Sequence, residues 1–166
     1  MIPYFHSGDL DGEVLLWGRT LEEWSPAELS RRIGYVFQNP FTQISGVRET
    51  VFEEIAFGLE NLGCTREEIV DRVLQVAERM DLLPLLEKDP NGLSGGQRQK
   101  VAFAAVIAMD ADFIVIDEPT SQLDPESSEE VFRIIAQLKE RGKTLVLVEH
   151  KVDLLAEYVD ELIVME

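Results

Sequence analysis

The chain is short of cysteine, of positive charge and of long apolar runs, and each shortage excludes something. Cys64 is the single cysteine in 166 residues, which rules out an internal disulfide and fits a reducing, cytosolic compartment. Lysine and arginine number 15 against 32 aspartates and glutamates, a formal charge of −17. Such a chain repels phosphate polymers and anionic lipid, and no basic run exceeds Arg31-Arg32, so nucleic acid is a poor partner. The longest apolar stretch, Val101 to Met109, falls far short of the roughly 20 residues that span a bilayer. The opening MIPYFHSGDLDG has no basic segment ahead of an apolar core and does not read as a signal peptide.

What is present reads as alternating strands and helices. GEVLLWGR (12–19) is β-rich and bounded by glycines, the pattern of a strand in a hairpin-like region. RIGYVFQNP (32–40) is an apolar strand stopped by Asn39-Pro40. Residues 50–63 and 65–86 place apolar side chains at helical spacing with charges between them. The continuous apolar run DFIVIDEPT predicts a strand buried on both faces. Asp124-Pro125 opens a helix that Gly142 ends, with Asp124 as N-cap and Pro125 at the first helical position. TLVLVEH is another apolar strand, KVDLLAEYVDEL a helix, and IVME the beginning of a last strand. This order predicts an α/β fold, a parallel sheet covered on both faces, with a helical insert in the first half.

Three stretches carry chemistry. LSGGQRQK places Gly95 and Gly96 in the first turn of a helix, although each helical glycine costs about 1 kcal/mol relative to alanine. Ser94 and Gln97 fit a capping box, but that leaves the glycines unexplained. A phosphate bound at the bare helix start accounts for all four. In FIVIDEP the carboxylates Asp117 and Glu118 follow an apolar strand, at the edge where open α/β sheets bind ligands. One carboxylate suits Mg²⁺ and the other suits polarising a water. Gln38 and His150 also end strands. Taken singly, Gln38 is most often only a turn residue and a lone histidine such as His150 more often a structural one, and Asp124 is fully explained as a cap.

Taken in order, these motifs resemble the nucleotide-binding subunit of ATP-binding-cassette (ABC) transporters. LSGGQRQK looks like the family's signature motif, FIVIDEP like its Walker B, and SQLDP like its D-loop. Gln38 then matches the Q-loop and His150 the switch histidine. YVFQNPFTQI and TVFEEIAFGLENLG look closest to the energy-coupling-factor and cobalt-type importers. The resemblance implies a P-loop NTPase-like (RecA-like) parallel sheet plus a helical subdomain, forming one partial ATPase domain. Residues 1–40 would be the β-subdomain remnant with the Q-loop, 41–108 the helical subdomain, and 109–166 the rest of the catalytic core. It also implies ATP and Mg²⁺. Asp117 and Gln38 would serve the metal, and Glu118, His150 and Gln38 the catalysis. Ser94, Gly95, Gly96, Gln97 and Asp124 would contact nucleotide held by a second ABC subunit, as homodimer or heterodimer. An integral membrane subunit would anchor the pair to the cytoplasmic side of the membrane.

One family motif is missing. No G-x-x-x-x-G-K-[ST] phosphate loop occurs. Gly142-Lys143-Thr144 has Gln137 where the motif needs glycine, and it follows a helix and precedes a strand, so Lys143 reads as a turn residue. Both ends look clipped, and the chain is expected to hydrolyse little or no ATP by itself. The helix with Val51, Phe52, Ile55 and Phe57 either docks the membrane subunit or faces the core. Alternative readings are a non-catalytic partner that supplies only the signature motif, or a soluble ABC ATPase of DNA repair or translation. Against the last stand the acidic charge and the absence of sustained heptads.

Overall fold

The computed structural model describes residues 12–121, 123–150, 155 and 158–164. The chain divides into two compact units, residues 1–30 and 31–166.

The first unit holds a small hairpin. Strands β1 (Leu15–Leu16) and β2 (Arg19–Thr20) pair antiparallel, Leu16 opposite Arg19. Trp17 and Gly18 make the turn at φ 50° and 75°, the double left-handed geometry that matches strand twist in two-residue hairpins. The Trp17 and Trp24 rings meet edge-on at 5.5 Å, and the Arg19 guanidinium lies 4.1 Å from the Trp24 ring centre. Helix α1 covers Pro26–Arg32. It was not anticipated, although Ser25-Pro26-x-Glu28 signals it. The Glu28 carboxylate accepts from the Ser25 N–H at 2.9 Å, and Pro26 occupies the first helical position.

The second unit is built on a parallel sheet. Its strands β3 (Ile33–Val36), β4 (Phe113–Asp117) and β5 (Thr144–Val148) lie in the order β3-β4-β5. Register aligns Val36 with Ile116, and Asp117 with Val148. Between β3 and β4 come α2 (Pro40–Gln43), α3 (Val51–Asn61), α4 (Arg66–Arg79) and α5 (Gly95–Ala108), while α6 (Pro125–Glu140) joins β4 to β5. Thr50 with Glu53 and Thr65 with Glu68 form the capping boxes that start α3 and α4. Asp124 caps α6 with Pro125 behind it, as expected, and Gly142 follows the helix at φ 75°.

One core serves these elements. Ile55 and Leu59 of α3 lie with Val101 and Phe103 of α5, all fully buried. Val36, Ile114 and Ile116 bring the sheet into the same cluster, and Phe132 and Ile135 bring α6. Gly34 lets β3 reach α5, because a Cβ there would stand 2.5 Å from Val106 Cγ1.

Three expectations need correction. β4 is not buried on both faces. Ile114 and Ile116 are buried while Phe113, Val115 and Asp117 are only half-buried. The same alternation exposes Tyr35, Val146 and Val148, so among the described residues one sheet face lacks the cover expected of it. The expected last strand at 163–166 does not form over the described Ile163 and Val164, which are exposed. Of the helix expected over 151–162, Leu155 is helical but 158–162 is turn and irregular chain. The remainder of that stretch lies outside the described residues. Val51 and Ile55, weighed as docking residues, are core. Phe52 packs against the core, and Phe57 is half-buried with the Arg48 guanidinium 4.9 Å from its ring centre.

Candidate active site at the carboxyl edge of the sheet

Parallel pairing in register brings the ends of three strands to one edge. Gln38 lies two residues past β3, Glu118 one past β4, and His150 two past β5. Gln38 Nε2 donates to Glu118 Oε2 at 2.7 Å across 80 residues of sequence. His150 Nε2 lies 2.8 Å from Glu118 Oε1 across 32. Both carboxylate oxygens are thus held by the two residues the motifs singled out.

The backbone at Glu118 is bent for this purpose. Its φ is 39°, a left-handed conformation uncommon for a residue with a side chain. Such strain, of order 1–3 kcal/mol, persists where the surroundings over-determine it. Here the Glu118 N–H donates to the Val148 carbonyl at 2.9 Å, extending the β4–β5 pairing one step past the strand. The turn swings the carboxylate over the sheet edge, where it is 20% exposed against 82% for His150.

Four supporting residues escaped sequence reasoning. The Tyr35 hydroxyl donates to Asp117 Oδ2 at 3.0 Å. Partial desolvation of the hydroxyl, then that hydrogen bond and the carboxylate charge, push the Tyr35 phenol above its usual range. Gln43 braces the end of β3, accepting from the Phe37 N–H at 2.9 Å and donating to the Tyr35 carbonyl at 3.1 Å. The Thr120 hydroxyl donates to Glu149 Oε1, and Glu149 Oε2 accepts from the His150 N–H at 2.9 Å. Glu149 therefore locks the loop after β4 to the loop after β5. The available signal was only that these residues flank the motifs on the same strand ends.

The start of α5 forms a second cluster. Gln97 N–H donates to Ser94 Oγ at 3.3 Å, and Gln97 Oε1 accepts from the Ser94 N–H at 3.1 Å. The capping box is real and occupies both side chains. The two glycines differ. A Cβ on Gly96 would stand 2.7 Å from Ser127 Oγ, so Gly96 permits close approach to α6, whereas a Cβ on Gly95 would meet nothing within 4 Å. Gly95 alone keeps no internal reason for its bare backbone. No acidic residue occupies the first turn of α5, although Glu53, Glu68 and Glu126 stand in those of α3, α4 and α6. The α5 start therefore offers N–H groups and an uncompensated dipole to an anion.

Asp124 adjoins this cluster through Ser127. Asp124 accepts from the Ser127 N–H at 3.0 Å and from its hydroxyl at 2.8 Å, and these bonds, the backbone one foremost, hold its carboxyl below the ordinary aspartate range. Among the described residues no hydrogen bond joins the Ser94–Gln97 cluster to Gln38, Glu118 and His150. Lys143 is a turn residue, as its context predicts. Its Nζ pairs with Asp110 Oδ1 at 2.8 Å, at the end of the sheet away from the carboxylates.

Comparison with known proteins supplies the family. The ABC transporter family model matches residues 6–121. The chain belongs to the ABC transporter family. A putative ABC transporter ATP-binding protein of Pyrococcus abyssi is 44% identical over 167 residues, covering 100% of this chain and 59% of that protein. One from Treponema denticola is 40% identical over 166 residues, covering 100% of this chain and 34% of that protein. The ABC chain therefore spans well under two thirds of the length of these relatives. Among solved structures, cbiO1 of Clostridium perfringens, part of the ABC transporter complex cbiONQ, is 31% identical with a TM-score of 0.77, covering 88% of this chain and 59% of that one. The ATP-binding cassette MJ0796, solved as a dimer after hydrolysis with ADP and Pi, is 30% identical with a TM-score of 0.72, covering 86% of this chain and 64% of that one. The P-loop NTPase-like α/β architecture follows from these matches and from the parallel sheet.

Proposed function

We propose that this chain carries the water-orienting carboxylate and the signature helix of an ATP-hydrolysing cassette, which drives import of a small solute, a vitamin or a metal ion, through a membrane-embedded subunit on whose cytoplasmic side it sits. One observation carries the reading: Glu118, set on a strained turn at the carboxyl edge of the sheet, is gripped by Gln38 and His150. A carboxylate offers about four lone-pair sites, so two hydrogen bonds leave Glu118 able to accept from an attacking water. Gln38 and His150 fix its orientation, and the exposed His150 ring has room to turn toward a phosphate. The likeness to cbiO1, part of the cbiONQ transporter complex, supports the importer reading.

Mg²⁺ keeps several waters and takes one or two carboxylates plus phosphate oxygens. Asp117, with the amide oxygen of Gln38, offers that donor chemistry. No cluster of three or more His, Cys, Asp or Glu suited to a metal occurs among the described residues. This donor set fits a hydrated ion shared with phosphates better than one caged by protein. When bound, the ion neutralises charge on the phosphates. Gly95 and the first N–H groups of α5 would meet the terminal phosphate of ATP held by a second cassette in a head-to-tail dimer, with Ser94, Gly96, Gln97 and Asp124 shaping that start.

Without a phosphate loop, little positive charge faces the β- and γ-phosphates, so this chain alone should turn over little or no ATP. Titrating it calorimetrically with Mg²⁺ and a non-hydrolysable ATP analogue should give no binding, whereas micromolar binding would overturn that reading. The catalytic assignment is tested by joining the chain behind a strand–G-x-x-x-x-G-K-[ST]–helix segment and measuring phosphate release. Glu118→Gln should lower turnover by about 10²-fold or more. Turnover unchanged by Glu118→Gln would sink the assignment. A second reading, a partner that only lends its signature helix, rests on the α5 start, where Gly95 leaves bare backbone and no acidic residue fills the first turn. On that reading the chain raises turnover in an intact cassette and Gly95→Asp abolishes the effect.

A further inference from the structure

At the end of the sheet opposite Glu118 lies a cavity of about 310 Å³ between α4, the end of α5 and the turn from α6 into β5. Its lining includes Arg72, Arg79, Arg141 and Lys143 against Asp71 and Asp110. Four cations facing two carboxylates make this a positive pocket in a chain of net charge −17. Cations suit helix C-termini, and that role accounts for two of them. Arg72 Nη1 donates to the Ala108 carbonyl at 3.5 Å, and Lys143 Nζ donates to the Asp110 carbonyl and carboxylate at 3.1 and 2.8 Å. Arg79 and Arg141 differ. They end α4 and α6, and among the described residues neither guanidinium has a hydrogen-bond or ion-pair partner. The two also line an adjoining smaller hollow, so they stand near each other.

We propose that this cavity binds a small phosphorylated molecule, its phosphate held by Arg79 and Arg141 and its body against the half-buried Ile107. A phosphate carries close to two negative charges at neutral pH, matching two unspent guanidiniums whose planar forks suit paired phosphate oxygens. The volume lies at the lower end of small-molecule sites. Ligand here would tie α4 to α6, and so the helical layer to the sheet.

The test is an amide chemical-shift titration of the ¹⁵N-labelled chain with inorganic pyrophosphate at constant ionic strength. Saturable shifts are expected at Arg79, Arg141 and Lys143. The R79Q/R141Q variant should bind about a hundredfold more weakly, because each of the two lost charge-assisted bonds is worth roughly a decade. R79K/R141K, which keeps the charge but loses the fork, should fall between that variant and the parent. Both arginines are exposed, so the core is untouched. Arg66→Gln, at the far end of α4, should leave affinity unchanged. Shifts that do not saturate, or equal affinity in R79Q/R141Q, would overturn the proposal. Shifts confined to Ser94–Gln97 would overturn it too while supporting the signature-helix reading.

Discussion

Replacing each glycine of the α5 start by alanine should produce opposite results, although the two are adjacent. At Gly95 an added Cβ meets nothing within 4 Å, so the variant gains only helix propensity, up to about 1 kcal/mol and less at a first-turn position. At Gly96 the same methyl would stand 2.7 Å from Ser127 Oγ and 3.3 Å from Ser127 Cβ. The hydroxyl cannot simply swing aside, because it donates to Asp124 at 2.8 Å and helps to cap α6. Overpacking of this kind costs about 1–3 kcal/mol, which outweighs the propensity gain. The two alanine variants should differ by about 2 kcal/mol, a gap of roughly 4–8 °C in Tm for a chain of this size. Thermal and urea unfolding followed by far-ultraviolet circular dichroism reads it directly. Repeating Gly96→Ala in a Ser127→Ala background removes the nearer clash, so the double-mutant cycle should show coupling of about 1 kcal/mol. A Gly96→Ala variant as stable as Gly95→Ala, or a cycle with no coupling, would refute the packing role assigned to Gly96.

Three further outcomes follow from the same geometry. Gly34→Ala places a methyl 2.5 Å from Val106 Cγ1 and should destabilise by about 1–3 kcal/mol, with partial rescue by Val106→Ala in urea melts. Buried Glu54 accepts from the Ser45 N–H and hydroxyl, both at 2.7 Å, so Glu54→Ala should cost about 1–3 kcal/mol and speed hydrogen exchange at Ser45. Asp124 and Glu68 are held below their ordinary values of 3.8 and 4.5, chiefly by backbone N–H donors at Ser127 and Thr65. A depressed carboxyl stabilises fully above its unfolded pKa and loses that contribution as pH falls through the folded value, so the urea midpoint should drop below about pH 4. Carboxyl-carbon titration placing Asp124 at or above 3.8 would contradict this.

The sequence by itself determined the local elements. Thr50 with Glu53, Thr65 with Glu68, Ser94 with Gln97, and Asp124-Pro125 each set a helix start within one turn, because the groups that satisfy the free N–H donors lie three residues apart. The motifs named the family and brought Gln38, Glu118 and His150 under suspicion, though singly each had an ordinary explanation. Only the tertiary structure decided what these residues do together. Strand order and register place side chains 80 and 32 residues apart on the two oxygens of one carboxylate. They likewise set Tyr35 on Asp117 and Glu149 between two loops, while helix packing brings Arg79 and Arg141 to the lining of one hollow. Apolar runs identified β4 and β5 but not which faces are covered, since covering depends on what packs against the sheet and not on the strand's own residues. The two glycines make the same division in miniature. Both look like phosphate glycines in sequence, and only the proximity of Ser127 assigns one of them to packing.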